Sequence, residues 1–273
     1  MSEPVLSIIV SNYRNPELLK LCIQSIKDNI EDIDYEIIVA DSATEEDTEL
    51  MMKENFPDII FLPFKDNVGL QKLIKEGIKK SKAKYILILN GDILIKKKSV
   101  EKLLSYLKDN PSVGMVGPKL FGFNEKFQPS CFRFYKPITI VYRRTFLGKL
   151  PFAKKHLDYF LMKDYDHKKP KDVDWLMGSA LMVSRKAIKK VGPMDRRFFM
   201  YMEDVDWCRR FWENGFRVVY CPQSVMLHYH GKGSGNKGFV FTIFNKLAWI
   251  HISSAIKYFL KYFGKKNPRT KNG

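Results

Sequence analysis

An apolar run that ends in a carboxylate restricts the folds open to this chain. Tyr85–Leu89 contains no polar break and leads directly into Asn90, Gly91 and Asp92. Such a run predicts a strand that is buried on both faces, as in a parallel sheet. Open α/β sheets bind ligands at the carboxyl ends of their strands, where Asp92 would lie. Asn-Gly-Asp is also ordinary turn chemistry, so a purely structural aspartate is the alternative.

Strand-like runs alternate with helix-like patterns in the sequence before Tyr85. The runs are Leu6–Val10, Tyr35–Ala40 and Ile59–Pro63. Apolar residues recur at helical spacing after each of them, and Pro16 suits the first turn of the first helix. This βαβαβαβ series predicts an α/β fold with a mainly parallel, doubly wound sheet flanked by helices.

The later elements are less regular. We predict a helix at Ser99–Leu107, a strand at Val113–Leu120 that Pro118 breaks, and a last short strand at Val218–Tyr220 that Cys221 and Pro222 end. The segment of about 123–171 is aromatic and basic, and we interpret it as a variable insertion that meets an acceptor or a membrane. Within it, the Arg143-Arg144 pair is either a phosphate contact or a solvated charge pair.

Polar residues collect where the predicted strands end. Tyr13, Asp41, Asp66, Asn67 and Asp92 all occupy such positions, and Gly69 closes the stretch that begins at Asp66. The first of these loops contains no glycine, so the GxGxxG fingerprint of dinucleotide-binding folds is missing, as is the GxxxxGK[ST] phosphate loop. The strand ends carry carboxylates, and no glycine-rich loop is present whose N–H groups could bind phosphate directly. This suggests that a nucleotide is held through its base, its sugar and a metal ion on its phosphates. The alternative that Asp92 binds no metal and has only a structural role stays open.

A second acidic cluster, Glu203, Asp204 and Asp206, follows a wall of large apolar residues. In a helix Glu203 and Asp206 share one face while Asp204 points elsewhere, so the three cannot have one common role. Asp204 and Asp206 are alternatively a pair that favours a helix start. An apolar environment raises the proton affinity of a carboxylate, which suits a general base.

Small and aromatic residues precede the acidic cluster, and histidines follow it. Gly178 lies in a run where the backbone is expected to approach a ligand closely, and Trp175 supplies an apolar wall. His228 and His230 lie on one face of an extended strand, beside the glycine-rich Gly231–Gly235 loop. They suggest a metal or phosphate site with a lid, although a single histidine is more often structural.

The chain has 273 residues and a formal net charge of +17, which predicts an anionic partner. From Lys257 onward there are six Lys or Arg residues and no acid, next to the aromatic-rich Phe239–Phe263. This segment is either an amphipathic helix on an anionic membrane surface or a helix packed on the domain. The lack of a recognisable signal sequence favours the cytoplasm, with peripheral binding at the inner face of the membrane. The scattered cysteines argue against disulfide or metal roles.

Seven motifs, in order over about residues 5–235, resemble those of glycosyltransferase family 2, in its rhamnosyltransferase-like branch. They are SIIVSNYRNPELLKLCIQSI, IIVADSAT, DNVGL, YILILNGD, DVDWLMGSALMVSR, FFMYMEDVDWCRRFWENGFRVVYCP and VMLHYHGKGS. The resemblance implies a GT-A fold and inverting transfer of a sugar from a nucleoside diphosphate sugar to a saccharide or lipid-linked saccharide in glycan synthesis. It implies a catalytic domain at 1–238 and an amphipathic helix with a basic tail at 239–273.

The resemblance also implies roles for individual residues. Tyr13 and Asp41 would hold the nucleobase and ribose, and Asp92 would coordinate Mg²⁺ or Mn²⁺ on the diphosphate. Asp204 would be the base with Glu203 beside it, and His228 would complete the metal or phosphate site. Asn67, Gly69, Trp175 and Gly178 complete the expected donor site. The family's metal motif often has two aspartates, whereas the first position here is Asn90.

Two other classes of protein would explain part of this sequence. A nucleic-acid or membrane-surface binding protein without catalysis explains the charge but not carboxylates at the strand ends, which would repel phosphate, so no nucleic-acid partner is expected. A sugar nucleotidyltransferase would carry a glycine-rich basic loop after the first strand, and Ser11–Pro16 has none. The oligomeric state is left open.

Overall fold

A computed structural model describes residues 3–229 and 246–271. The strands are β1 (Leu6–Tyr13), β2 (Tyr35–Ser42), β3 (Ile60–Phe64), β4 (Tyr85–Asn90), β5 (Ile93–Ile95), β6 (Val113–Phe121), β7 (Phe127–Gln128), β8 (Cys131–Phe132), β9 (Lys171–Asp172), β10 (Trp175–Leu176), β11 (Ala180–Ser184) and β12 (Arg217–His228). The α-helices are α1 (Pro16–Asn29), α2 (Glu46–Asn55), α3 (Leu70–Lys80), α4 (Ser99–Asp109), α5 (Pro137–Arg144), α6 (Pro151–Phe160), α7 (Arg185–Val191), α8 (Glu203–Glu213) and α9 (Lys246–Lys261). Short 3-10 helices span Phe146–Lys149 and Pro268–Lys271.

The main sheet has the strand order β3-β2-β1-β4-β11-β6-β12-β5. Its first half is parallel, as the alternating pattern predicts, because β1 pairs in parallel with both β2 and β4, and β2 with β3. The second half is mixed, since β11 runs antiparallel between β4 and β6 while β12 is parallel to β6. The α/β class and the parallel arrangement of β3, β2, β1 and β4 are therefore confirmed.

Successive residues of β4 point to opposite faces of the sheet, and each face has its own core. Ile86 and Ile88 pack into the core that contains apolar residues of α3, α7, α8 and α9. Leu87 and Leu89 pack into the core formed with α1, α2 and α4. Helices thus cover both faces, which confirms the doubly wound arrangement and explains why Tyr85–Leu89 has no polar break.

Both predicted proline breaks are wrong. Strand β6 continues through Pro118, and β12 continues through Pro222 as far as His228. On the β11 side, β6 pairs only at Met115 and Val116, so Pro118 lies beyond that ladder. On the other side the register shifts between Cys221 and Val225, and this irregularity accommodates Pro222. A proline is tolerated at such positions because its missing N–H breaks no ladder hydrogen bond.

The C-terminal helix α9 packs on the domain by one face and exposes apolar side chains on another. Ala255 and Tyr258 lie in the core, whereas Leu260 and the following Phe263 are 72% and 87% exposed. Trp249 and Ile256 extend the exposed face. Packing on the domain is therefore observed for one face, and the exposed face leaves membrane binding as a prediction. In the described part of the chain, no helix is both long and apolar enough to span a bilayer. The domain boundary at 238 lies outside the described residues.

A buried ionic cluster joins α9 to α8. Asp206 has no exposed surface and accepts hydrogen bonds from Arg210 Nε and Tyr262 Oη, each at 2.8 Å, and from Lys261 Nζ. Lys261 also binds Asp195 Oδ2 at 2.7 Å. Asp206 therefore has a structural role, in agreement with its placement on a different helical face from Asp204.

We expect Asp206→Ala to lower the free energy of unfolding by about 3 kcal/mol, because two partly buried cations lose their shared carboxylate. Urea denaturation measures this change. Asp109→Ala, which removes an exposed carboxylate at the end of α4, is the control and should change stability little. Equal effects of the two substitutions would show that the cluster does not anchor α9.

Candidate active site

The ends of β1 and β2 form a polar pocket around Asp41. This side chain is fully buried, and its Oδ1 accepts a hydrogen bond of 2.8 Å from Asn12 Nδ2. Its Oδ2 has no hydrogen-bond partner among the described residues. Burial raises the pKa of Asp41, while hydrogen bonds from Thr44 and Asn12 oppose that rise. A buried acceptor without a donor is suited to receive an N–H or O–H from a ligand.

An aromatic ring and a tight turn flank this pocket. Tyr13, at the end of β1, is 51% exposed and offers a flat face for stacking. Asn67 Oδ1 accepts a hydrogen bond of 3.2 Å from the Gly69 N–H, which fixes the turn before α3. Gly69 has φ +76°, and a Cβ there would lie 3.0 Å from both the ring and the carbonyl of Phe199. Only glycine suits this backbone conformation and this close approach.

Asp92 and His228 lie together because β5 pairs antiparallel with the end of β12. Asp92 Oδ2 is 3.5 Å from His228 Nε2, and Gln128 Oε1 is 3.1 Å from His228 Nδ1. Asp92 Oδ1 is buried and has no hydrogen-bond partner within the part of the chain described. Gly91 donates its N–H to Ser11 at 2.8 Å, which holds this turn against β1.

These two side chains fit a divalent cation as a partial ligand set. A carboxylate oxygen without a partner and an imidazole nitrogen are both ordinary ligands of such ions. The described residues contain no group of three or more His, Cys, Asp or Glu side chains placed to hold a metal. Asn90, the position of the family's first aspartate, accepts a weak hydrogen bond of 3.3 Å from Ser11 Oγ. A ligand's own phosphate oxygens would have to supply the remaining coordination.

Asp204 lies at the start of α8, directly against Gly178. Its Oδ2 accepts a hydrogen bond of 3.0 Å from the Gly178 N–H, and its Oδ1 accepts one of 2.8 Å from the Val205 N–H. A Cβ on residue 178 would lie 3.3 Å from the Asp204 Cβ, so glycine permits this approach. The neighbouring Ser179 carbonyl accepts the Asn90 N–H at 2.9 Å. This link brings Asp204 to the same end of the sheet as Asp92.

Burial controls the proton affinity of the two carboxyl groups at the start of α8. Burial and the charge of Asp204 raise the pKa of Glu203. Burial also raises the pKa of Asp204, although the N–H groups of Gly178 and Val205 oppose that rise. Glu203 Oε2 has no partner in the described chain, whereas both Asp204 oxygens accept hydrogen bonds. The ionised form is therefore better supported on Asp204, and the proton on Glu203.

A strained turn presents these carboxyl groups. Tyr201 and Met202, directly before Glu203, have φ values of 66° and 67°, which side-chain-bearing residues rarely adopt. Ser254 Oγ of α9 donates a hydrogen bond of 2.8 Å to the Met200 carbonyl. The C-terminal helix therefore helps to hold the turn that orients Asp204.

Trp175 is buried rather than exposed to a ligand. Its ring stacks on Phe132 at a centroid distance of 4.2 Å, and its Nε1 donates to the Arg133 carbonyl at 2.9 Å. Its role in donor binding stays a prediction, while Phe199, 38% exposed over Gly69, is available as an apolar wall. His230 and the Gly231–Gly235 loop lie outside the described residues.

Sequence reasoning missed several polar residues of the site. Asn12 orients Asp41, and Gln128 contacts the second nitrogen of His228. The predicted polar loop at Ser11–Pro16 is wrong in part, because β1 continues to Tyr13 and places Asn12 within the sheet. No sequence pattern indicated Gln128, because it belongs to a two-residue strand and lies 100 positions before His228.

Comparisons with known proteins identify the family of this chain. The model of the family "Glycosyl transferase family 2" matches residues 7–192. An N-acetylglucosaminyl-diphospho-decaprenol L-rhamnosyltransferase of Mycobacterium tuberculosis is 26% identical over 212 residues, which cover 73% of this chain and 68% of the relative. The rhamnosyltransferase WbbL of Escherichia coli is 25% identical over 268 residues, covering 92% and 91%.

The fold is also similar to a solved glycosyltransferase. The crystal structure of GalNAc-T7 with UDP, GalNAc and Mn²⁺ superposes with a TM-score of 0.60 and 12% identity, covering 86% of this chain. The matched region is 46% of that chain, so this protein spans less than half of its length. The likeness shows the GT-A fold. With the family model matching more than half of its residues, the chain belongs to glycosyltransferase family 2.

Proposed function

We propose that the protein transfers a sugar from a nucleoside diphosphate sugar to an acceptor hydroxyl, with inversion at the anomeric carbon. The observation that supports this most directly is the link from Gly178 and Ser179 to Asn90. It brings together, at one end of the sheet, an Asp92 oxygen that has no partner among the described residues and the partly buried carboxylate of Asp204. One carboxylate is suited to the diphosphate side of the donor and the other to the acceptor.

The donor would be held at several points. Asp41 Oδ2 accepts an N–H of the nucleobase or a ribose hydroxyl, and Tyr13 stacks on the base. Asp92 and His228 would hold Mg²⁺ or Mn²⁺, with the donor's diphosphate supplying further oxygen ligands. When bound, such an ion neutralises the charge that develops on the leaving diphosphate. Asn67 and Gly69 shape the turn beside this pocket, and Phe199 limits the access of water.

The acceptor side depends on Asp204. Its carboxylate removes the proton of the acceptor hydroxyl while that oxygen forms a bond to the anomeric carbon. The bond from this carbon to the diphosphate oxygen breaks, and the diphosphate leaves with the electron pair. Asp204 ends the step protonated. Glu203, protonated beside it, keeps a second negative charge away from Asp204 and so favours its ionised form.

The names of the relatives support finer proposals for the substrates. Both reported relatives are rhamnosyltransferases, and the name of one includes a diphospho-decaprenol acceptor. We therefore propose a rhamnosyl or related deoxyhexosyl donor and a lipid-linked saccharide acceptor in the synthesis of a cell-surface glycan. A donor panel decides the choice of sugar directly.

A lipid-linked acceptor would bring the protein to a membrane surface, and α9 supplies the proposed contact. Its exposed apolar side chains lie next to exposed Lys265 and Lys266, which attract anionic lipids. Deleting the segment from Lys257 onward would also remove Lys261 and Tyr262 from the Asp206 cluster, so point substitutions are the better test.

We expect Leu260→Ser with Phe263→Ser to weaken binding to phosphatidylglycerol vesicles at least about tenfold, because each buried methylene contributes roughly 0.8 kcal/mol. Vesicle sedimentation measures this binding. Leu50→Ser with Phe127→Ser, which changes exposed apolar residues elsewhere, is the matched control. Undiminished binding by the α9 variant would exclude this face as the membrane contact.

A panel of UDP-, dTDP- and GDP-sugars tests the proposed function. Each donor is added with and without Mg²⁺ or Mn²⁺, and thermal stabilisation and slow donor hydrolysis are measured. Selective, metal-dependent stabilisation by one donor supports the transferase and identifies its sugar. No response to any donor, together with tight and salt-sensitive binding to nucleic acid, would overturn the proposal in favour of a non-catalytic binding protein.

A further inference from the structure

Two adjacent arginines at the end of α5 have no acidic partner among the described residues. Arg143 is exposed and donates a hydrogen bond to the hydroxyl of Tyr135. Arg144 is half-buried, and its Nη2 donates to Nδ1 of His251 in α9 at 2.6 Å. Among the described residues, neither guanidinium forms an ion pair with a carboxylate. Other partly buried arginines of this protein, such as Arg133 and Arg210, do have one.

The charge of this arginine pair is not balanced locally. Burial and the neighbouring Arg143 lower the pKa of Arg144. Burial and both arginines lower the pKa of His251 to about 3, so its imidazole is neutral and accepts the hydrogen bond. The cluster therefore contains two positive charges and no negative one. Desolvated charge without a counter-charge is unfavourable, and a bound anion would relieve that cost.

Two chains of side-chain contacts connect the arginine pair with the surroundings of the candidate base. Tyr135, the partner of Arg143, stacks on Trp175 at a centroid distance of 5.6 Å, and burial together with the charge of Asp204 raises the pKa of Tyr135. His251, the partner of Arg144, meets the ring of Tyr201 at 5.0 Å, in the turn that leads to Glu203. Both chains of contacts therefore lead from the arginine pair to segments that lie next to Asp204.

We propose that Arg143 and Arg144 bind a phosphate group of the acceptor, which is a lipid phosphate or diphosphate attached to the saccharide. Planar guanidinium groups match phosphate oxygens with paired hydrogen bonds, and Arg143 is open to solvent for this contact. The exposed apolar face of α9 begins at Trp249, two residues before His251, and offers a surface for the lipid chain. This inference rests on the proposed transferase function for the identity of the saccharide, but not for the phosphate contact itself.

The test compares three phosphate sources by calorimetry or vesicle sedimentation: octyl diphosphate, inorganic diphosphate and phosphatidylglycerol vesicles. The variants are Arg143→Gln alone and Arg143→Gln with Arg144→Gln. Lys186→Gln with Lys189→Gln is the charge-matched control, because both lysines are exposed on α7. The single variant keeps the Arg144–His251 contact, so it remains informative if loss of that contact in the double variant impairs folding. Melting temperatures are recorded for every variant.

We expect octyl diphosphate to bind at least about tenfold more weakly to the single variant and more weakly still to the double variant, which is the loss typical of a hydrogen bond to a charged group. The control should bind it like the unchanged protein. The donor-induced rise in melting temperature should persist in all variants. If the donor panel fails but octyl diphosphate binding still depends on these arginines, the phosphate site stands while the transferase proposal falls.

Three results would overturn the inference. Unchanged binding of octyl diphosphate by the folded single and double variants would exclude the arginines as its site. An equal loss for inorganic diphosphate and for the nucleotide donor would assign them to the donor instead. A loss confined to phosphatidylglycerol vesicles would make them a contact for lipid head groups.

Discussion

Replacing Asp204 by asparagine is expected to lower kcat by about a hundredfold to ten-thousandfold, the range typical of a lost general base. Asparagine has nearly the same shape and still accepts one of the two hydrogen bonds from Gly178 and Val205. The fold and the binding of the donor should therefore be nearly unchanged. Steady-state kinetics with the donor identified by the panel, and thermal melting of both proteins, measure the two effects.

Asp109→Asn is the matched control for this substitution, because it makes the same chemical change on the surface of α4. It should retain the turnover and the melting temperature of the unchanged protein. Wild-type turnover in Asp204→Asn would remove Asp204 from the mechanism. A loss of donor-induced stabilisation as large as the loss of turnover would instead indicate a role in donor binding.

The pH dependence of the reaction follows from the raised pKa values of Glu203 and Asp204. A base must be ionised to accept a proton, so kcat/KM should rise with pH through an apparent pKa above the ordinary carboxyl range. The same shift has the opposite sign for stability. The folded chain binds these protons more tightly than the unfolded chain, so this contribution to stability is complete at low pH and is lost as pH rises through the raised pKa.

Replacing Asp92 by alanine is the second change with a large expected effect. It removes the carboxylate whose Oδ1 has no partner in the described structure and leaves His228 as the single remaining candidate ligand. We expect the metal-dependent part of donor stabilisation to disappear, with a loss of kcat/KM of at least about a hundredfold, because a metal ion supplies several kcal/mol at the leaving group. A metal titration followed by thermal melting measures the first effect.

Two further substitutions make this test specific. Asn90→Asp places a second carboxylate at the position where the family often has one, and it should tighten the apparent metal affinity. His228→Ala should weaken that affinity if the imidazole is a ligand. An unchanged titration curve for Asp92→Ala would exclude Asp92 as a metal ligand, and a weaker curve for Asn90→Asp would place the ion elsewhere.

The residues of the site differ in how far the sequence could predict them. Asp41 and Asp92 follow buried parallel strands, and strands of this kind bring their carboxyl ends to one edge of the sheet. Their gathering was therefore predictable from the local pattern. Asn12 was not predicted as a site residue, because the apolar run ends at Val10 and gives no indication that β1 continues to Tyr13. Gln128 and His251 belong to elements whose partners are about a hundred residues away in sequence.

The acidic cluster shows the same division. Helical spacing alone separates Asp204 from Asp206, but the spacing does not state which one is the base. In the structure Asp206 accepts hydrogen bonds from Arg210, Lys261 and Tyr262, while Asp204 accepts one from the Gly178 N–H. Which of the two aspartates is left for catalysis therefore depends on contacts with the C-terminal helix α9 and the residue after it, which are distant in sequence from Glu203.

The sequence by itself determined the α/β class, the parallel first half of the sheet and the positions of the strand-end carboxylates. These properties depend on periodicity and on apolar runs, which are local and set by the geometry of strands and helices. Only the tertiary structure decided that β12 brings His228 to Asp92, that β11 brings Gly178 to Asp204, and that α9 holds both the Asp206 cluster and Arg144. Each of these contacts joins segments that are distant in sequence, and long-range packing rather than any local preference selects such pairs.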